Sequence, residues 1–73
     1  MSITHINTRN QFKGRIVAIH RSPVMSELEV ETAAGIVSAV VTTSSVDRLQ
    51  LRLGDPALAL FKATEVMIAK LDG

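Results

Sequence analysis

A strict two-residue alternation between Val24 and Thr32 constrains the fold of this chain more than any other feature. Small, aliphatic or hydroxyl-bearing side chains fall on one side of an extended segment: Ser26, Leu28, Val30 and Thr32. The other side carries Met25 and three glutamates, Glu27, Glu29 and Glu31. This pattern is typical of a half-buried antiparallel strand with one solvated, acidic face.

Other short segments rich in aliphatic residues predict further strands. Arg15–Arg21 has apolar residues on both faces, and the turn signal Ser22-Pro23 joins it to Val24–Thr32, which predicts a β-hairpin. Ala33-Ala34-Gly35 predicts the next turn. The other predicted strands are an early one at Ile3 and Ile6, then Ile36–Thr43, Ala57–Lys62 and Val66–Leu71, with connections at Leu53–Pro56 and Ala63–Glu65.

The hydrophobic period changes once, between Ser44 and Leu49. This segment predicts a short helix with a serine cap and with Asp47 as an acidic residue in the first turn. Val46 and Leu49 are expected to face the core. One short helix therefore accompanies five or six short strands.

The size of the chain predicts a small barrel that associates with copies of itself. The 73 residues form a single domain, 1–73, and 47% of them are hydrophobic, although only two are aromatic. So short a chain buries a modest share of its surface alone, so we expect another subunit to cover part of this aliphatic surface. Open edges on short strands are costly. We therefore expect an all-β, five-stranded, closed barrel of the oligonucleotide/oligosaccharide-binding (OB) type, with the helix plugging one end.

Several classes of function are not supported by the residues. There is no cysteine, and the net charge is +1, which is too little for a duplex-binding protein. Neither His5 nor His20 has the spacing of a metal ligand, so both are expected to be surface or interface histidines, and the glutamate row a solvated face. No nucleophile elbow, phosphate-binding loop or paired-carboxylate cleft indicates an enzyme. Phe12 and Phe61 are expected in the core, which leaves no stacking platform for single-stranded nucleic acid.

The membrane and the secretory pathway are likewise not indicated. The longest uncharged run, Thr32–Val46, is shorter than a membrane-spanning helix requires. The first five residues lack the basic and apolar regions of a signal peptide. We therefore expect a cytoplasmic protein without a nucleic-acid or membrane partner.

Three separate segments are rich in groups that bind anions. Asn7–Gly14 combines amides, a hydroxyl and two positive charges, with Arg9 as its fixed charge. Thr42–Ser45 places hydroxyls and free backbone N–H groups where the predicted helix begins. Lys62-Ala63-Thr64 sets an ammonium before a turn with free N–H groups. Taken singly, each segment has an ordinary alternative: a polar loop, a helix cap and a surface lysine, respectively. In an oligomer, the three segments could meet in one pocket from two chains.

These segments resemble the Mop proteins, or molbindins, and the related TOBE domains. The opening pattern of that family, Ser-Ala-Arg-Asn-x-x-x-Gly, corresponds to Asn7–Gly14, and its Thr-x-x-Ser segment corresponds to Thr42–Ser45. Its Gly-Asp turn corresponds to Gly54-Asp55. Its Lys-(Ser/Ala)-(Ser/Thr)-(Asp/Glu)-Val-Met signature, the most specific part, corresponds to Lys62–Met67. The similarity extends from about Ile3 to Lys70.

The resemblance implies an OB-like barrel that forms dimers, with three dimers making a hexamer. It also implies cytoplasmic binding of molybdate or tungstate between subunits. The oxyanion-binding residues that it implies are Asn7, Thr8, Arg9, Thr42, Ser45, Lys62 and Ala63. Asn7 stands where the family usually has a serine, Gln50 stands where a helix-ending glycine is common, and Ala63 offers only its backbone.

A second interpretation keeps the fold without the ligand. In that case the chain is a structural or regulatory TOBE-like module that associates with a molybdate-transporter ATPase or a transcription regulator. Asn7 in place of serine and the aliphatic surplus are compatible with it.

Overall fold

The fold is a four-stranded antiparallel sheet that carries one short helix. The computed structural model describes residues 7–72. Its elements, in chain order, are β1 (Gln11–Arg21), β2 (Met25–Thr32), β3 (Gly35–Thr42), α1 (Thr43–Arg48), β4 (Pro56–Leu60) and a single 3₁₀ turn (Ala63–Glu65). The early strand predicted at Ile3 and Ile6 lies outside the described residues.

Two consecutive hairpins form most of the sheet. The strand order is β3-β2-β1-β4, and all three neighbouring pairs are antiparallel. The predicted hairpin of β1 with β2 is confirmed, and the turn at Ala33–Ala34 joins β2 to β3 as the sequence indicated. β1 begins four residues earlier than predicted, at Gln11, because its first residues pair with β4.

A β-bulge at Val17 divides β1 into two halves. Ile16 pairs with Val30 and Ala18 pairs with Glu29, so Val17 has no counterpart in β2. The side-chain period of a strand is two, so one extra residue exchanges the two faces beyond it. Ile16 therefore faces the core before the bulge, and Ile19, opposite Leu28, faces it afterwards. This explains why the sequence of β1 shows apolar residues on both faces.

Gly14 allows β1 and β2 to approach each other closely. A Cβ atom at this position would lie 2.1 Å from the backbone carbonyl oxygen of Glu31 and 2.9 Å from Cγ2 of Thr32. Any other residue would overlap with the neighbouring strand. The sequence-based expectation of a bend or close approach at Gly14 is confirmed as a close approach.

Helix α1 begins one residue earlier than predicted, and its cap is a threonine. The Thr42 hydroxyl accepts a hydrogen bond from the Ser45 N–H at 3.2 Å, so Thr42, and not a serine, is the N-cap. There is no acidic residue in the first turn, since Asp47 lies beyond it and pairs with Arg21 at 2.9 Å. Val46 is buried as expected, but Leu49 is 64% exposed, so its predicted core position is wrong for the isolated chain.

The C-terminal end of α1 forms a Schellman motif. The Leu51 N–H donates to the Val46 carbonyl at 3.0 Å and the Gln50 N–H donates to the Asp47 carbonyl at 3.1 Å. Gln50 has φ of 55°, in the left-handed region that favours glycine. This conformation accounts for the glycine that the resembling family commonly has at this position.

The final predicted strand is not a strand in this structure. β4 ends at Leu60, before the predicted Lys62, and Val66–Leu71 has no regular structure and does not join the sheet. Ile68 is 89% exposed. A run of aliphatic residues indicates that a segment becomes buried, but not which chain buries it. Within residues 7–72 the sheet is therefore a curled half-barrel of four strands, and the expected closed five-stranded barrel is not formed.

The chain has a small core and much exposed aliphatic surface. Among the described residues the buried hydrophobic side chains are Ile16, Leu28, Val30 and Val46. The Cα radius of gyration is 13.6 Å, compared with about 11 Å for a compact domain of this length. No helix in the described part of the chain is both long and apolar enough to cross a membrane.

Candidate functional site

Two of the three predicted anion-binding segments lie side by side. The Phe61 N–H donates to the Asn10 carbonyl at 3.0 Å, and the Thr8 hydroxyl donates to the Phe61 carbonyl at 3.0 Å. Thr8 also accepts a hydrogen bond from the Asn10 N–H at 3.3 Å. These bonds make the backbones of Arg9 and Lys62 neighbours at the start of β1 and the end of β4. We refer to Asn7–Arg9 together with Lys62–Ala63 as the basic corner.

The basic corner presents two exposed cations. Arg9 and Lys62 are both exposed, and the sole ion pair within residues 7–72 is that of Arg21 with Asp47. Neither positive charge is therefore compensated by a described residue. Asn7 is exposed beside them, and Ala63, as the first residue of a 3₁₀ turn, has a backbone N–H without a partner in that turn. Every one of these groups donates hydrogen bonds, which suits an acceptor-only ligand.

The third segment forms a compact group of hydroxyls on the surface. The Thr42 and Ser45 hydroxyl oxygens lie 2.7 Å apart, and the Ser44 hydroxyl donates to Thr42 at 3.2 Å. We call Thr42, Ser44 and Ser45 the hydroxyl cluster. Each hydroxyl can rotate to donate outward, so the cluster offers adaptable donors to an anion.

A buried threonine holds the hydroxyl cluster in place. The Thr43 hydroxyl lies 2.7 Å from that of Ser26 and donates to the Ser22 carbonyl at 2.6 Å. Its N–H donates to the Val24 carbonyl at 2.8 Å. Thr43 therefore fixes the start of α1 to the β1–β2 turn, while its neighbours Thr42 and Ser45 point away from the core. Sequence analysis did not separate this inward threonine from the outward ones.

Arg48 is a residue of this region that sequence analysis did not identify. Its guanidinium Nη2 lies 3.5 Å from the Ser45 hydroxyl, one helical turn away. The spacing of three residues between Ser45 and Arg48 could have indicated this contact, because residues three apart on a helix are neighbours. Arg48 adds a positive charge to the hydroxyl cluster.

The basic corner and the hydroxyl cluster lie at opposite ends of the sheet. Leu60, next to the basic corner, is near the start of β1 opposite Gln11, whereas Thr42 pairs with Met25 next to the end of β1. The intervening length of β1 corresponds to about 30 Å along the strand. One chain therefore brings two of the three predicted segments together and leaves the third apart. A single small anion cannot contact all three within one chain.

Comparison with known proteins identifies the family. The family model described as the TOBE domain matches residues 6–68. The chain belongs to the TOBE domain family. The resemblance noted from the sequence is thereby confirmed, and it covers nearly all of the chain.

The chain is also similar to named proteins and to solved structures. The chain is 36% identical over 64 residues to a probable molybdenum-pterin-binding protein of Haemophilus influenzae, covering 86% of this chain and 93% of that protein. Its fold matches MopII from Clostridium pasteurianum with a TM-score of 0.85 at 33% identity, over 90% of this chain and 100% of the other. A molybdate-binding protein from Sporomusa ovata matches equally well, with a TM-score of 0.85 at 31% identity, over 92% of this chain and 100% of the other.

Proposed function

We propose that this TOBE protein binds molybdate at sites formed between subunits of a homo-oligomer. The observation that carries the proposal is the separation of two donor groups. The basic corner supplies uncompensated positive charge and the hydroxyl cluster supplies neutral donors, at opposite ends of the sheet. A second copy that places its hydroxyl cluster against the basic corner of the first completes a site from Asn7, Thr8, Arg9, Thr42, Ser45, Lys62 and Ala63.

The exposed aliphatic surface supports association between copies. Ile36 and Val40 on β3, Leu49 after α1 and the segment Val66–Leu71 are all exposed in the single chain. Exposed apolar surface of this extent is typical of a protein interface. We propose that the C-terminal segment packs against another subunit, that barrel closure occurs in this assembly, and that the assembly is a hexamer of three dimers.

The chemistry of the donors favours a fully ionised tetrahedral oxyanion. Molybdate carries two negative charges and no proton at neutral pH, so all of its oxygens accept hydrogen bonds. In a site made of donors, each oxygen can therefore accept a hydrogen bond from the protein. A protonated phosphate would bring its own donor to groups that cannot accept it, which leaves buried groups unpaired. Sulfate has the same charge but is smaller, so discrimination against sulfate requires a rigid sheet that prevents the pocket from contracting around the smaller ion.

The hydrogen bonds of the proposed site provide enough free energy for micromolar binding of molybdate. Hydrogen bonds to a charged group contribute about 1.5–3 kcal/mol each. Four or five of them reach the free energy of about 8 kcal/mol that corresponds to micromolar binding. Arg9 and Lys62 neutralise the dianion, and Thr42, Ser45 and backbone N–H groups orient its oxygens. We propose storage and buffering of molybdate in the cytoplasm as the biological role, with tungstate as an alternative ligand of the same shape.

Calorimetric titration of the oligomer with molybdate, tungstate and sulfate tests the proposal. We expect saturable binding of molybdate and tungstate and much weaker binding of sulfate. Lys62→Ala is expected to weaken molybdate binding by roughly 10-fold or more, because it removes about 1.5–3 kcal/mol. Lys70→Ala, which removes another exposed lysine outside the proposed site, is the matched control.

Two results would contradict the proposal. A flat titration with molybdate would favour the structural or regulatory module instead. Equal loss of affinity in Lys62→Ala and Lys70→Ala would show that binding depends on general positive charge and not on the basic corner.

A further inference from the structure

The outer face of the β1–β2 hairpin brings together one imidazole and two carboxylates. His20 lies directly opposite Glu27 in the antiparallel register, and Glu29 is two residues from Glu27 on the same face. One ligand atom from each of the three side chains lies within 4.8 Å of the others. In sequence the histidine and the glutamates are on different strands, which is why their spacing gave no indication of a ligand set.

The bulge at Val17 is responsible for this arrangement. In an uninterrupted strand His20 would share a face with Ile16, which is 1% exposed in the core. The extra residue turns Ala18 and His20 to the outer face, opposite Glu29 and Glu27. His20 is exposed, as expected for a surface histidine, and the fold places two glutamates beside it that its spacing in the sequence did not indicate.

The electrostatics of this face favour a cation. One carboxylate oxygen of Glu27 and one of Glu29 lie within 4.8 Å of each other, so their negative charges repel. Neither forms an ion pair with any of residues 7–72, where the one pair present joins Arg21 to Asp47. Glu29 is also half-buried, so water screens its charge less than that of a fully exposed glutamate. A divalent cation between the two would offset their repulsion.

We propose that His20, Glu27 and Glu29 form a binding site for a divalent transition-metal ion of the Zn²⁺ class. A neutral imidazole nitrogen with two carboxylate oxygens is a ligand set that Zn²⁺ accepts, whereas Mg²⁺ prefers oxygen ligands alone. The two carboxylates balance the charge of the ion, and three protein ligands leave the fourth position to water. The hydrogen-bonded pairing of the two strands holds all three ligands on one rigid surface. This site is separate from the proposed oxyanion site and does not depend on it.

The test is titration of the chelator-treated, molybdate-free protein with Zn²⁺ at pH 7.5 by calorimetry and NMR. We expect one Zn²⁺ per chain, a change in the His20 ring resonances, and a melting temperature that rises with Zn²⁺ concentration. His20→Gln and Glu29→Gln are each expected to weaken binding roughly 10-fold or more, since each removes one of three ligands. All three side chains are on the surface of the sheet, so the variants are expected to fold.

Glu31→Gln is the matched control, because Glu31 lies on the same strand face but outside the group. We expect it to change Zn²⁺ affinity by no more than about two-fold, as for a remote exposed charge. The proposal is overturned if Zn²⁺ does not bind, if Mg²⁺ binds as tightly, if Glu31→Gln loses as much affinity as Glu29→Gln, or if His20→Gln binds normally.

Discussion

The hydroxyl of Thr8 donates a hydrogen bond to the main-chain carbonyl of Phe61 at 3.0 Å, across 53 residues of sequence. This bond, with the backbone bond from Phe61 to Asn10, holds the chain ahead of β1 against the chain after β4. Arg9 and Lys62 flank these partners. The position of the two cations relative to each other therefore depends on a side chain that carries no charge.

Thr8→Val removes that hydroxyl while keeping the shape of the side chain. We expect molybdate affinity to fall by roughly 10-fold, and the free energy of unfolding to fall by only about 1 kcal/mol, the usual contribution of one hydrogen bond. Thr8→Ser keeps the hydroxyl and should retain most of the affinity. Calorimetry and urea unfolding measure the two quantities, and normal affinity in Thr8→Val would show that the bond does not organise the basic corner.

Gln50 is a position where glycine should stabilise the protein. Its φ of 55° is unfavourable for a residue with a Cβ atom and is accessible to glycine. Gln50→Gly is expected to raise the free energy of unfolding by about 0.5–1 kcal/mol. Gln50→Ala keeps the Cβ atom and should give no gain. Urea unfolding at one fixed protein concentration compares them, and a Gln50→Gly variant less stable than Gln50→Ala would disprove the explanation.

Gly14→Ala tests the close approach of β1 and β2. The added Cβ atom would overlap with the carbonyl oxygen of Glu31, which belongs to the backbone and cannot move without disturbing the sheet. We expect a loss of about 3 kcal/mol or complete failure to fold.

Gly54→Asn is the control for Gly14→Ala. Gly54 has φ of 87° and open space around it, and asparagine tolerates positive φ better than other residues do. We expect Gly54→Asn to lower the free energy of unfolding, measured by thermal denaturation, by less than about 1 kcal/mol. Equal costs at the two glycines would show that contact with Glu31 does not explain the requirement at Gly14.

Ile68→Asp tests whether the C-terminal segment is covered in the assembly. Ile68 is exposed in the single chain, so a charge there is tolerated unless another subunit buries it. We expect the native mass, measured by light scattering after gel filtration, to shift toward smaller species. Asp72→Lys reverses an exposed charge just beyond this segment and should leave the mass unaltered. An unchanged mass for Ile68→Asp would remove this segment from the proposed interface.

The sequence predicted the local elements well because their causes are local. The alternation of Val24–Thr32 and the turn before Gly35 depend on neighbouring residues, and both appear in the structure. Leu49 and Val66–Leu71 were misassigned because their aliphatic character indicates burial without indicating a partner. A core position within one chain and a contact between chains have the same hydrophobic pattern.

The sequence indicated which donor groups belong to the candidate site, but not where the fold places them. The donor groups of Arg9, Thr42, Ser45 and Lys62 could be identified from their chemistry. Their placement at two ends of the sheet depends on the order β3-β2-β1-β4, which involves contacts between distant residues. Likewise, the buried bond between Ser26 and Thr43 depends on a tertiary contact that no spacing in the sequence reveals.

The unpaired residue in β1 means that this strand contains one residue more than its pairing with β2 uses. Deleting Val17 would leave Ile16 opposite Val30 and Ile19 opposite Leu28, so the strand would become regular and every remaining side chain would keep its face. A one-residue deletion at Val17 should therefore be tolerated better than the loss of a paired core residue such as Leu28.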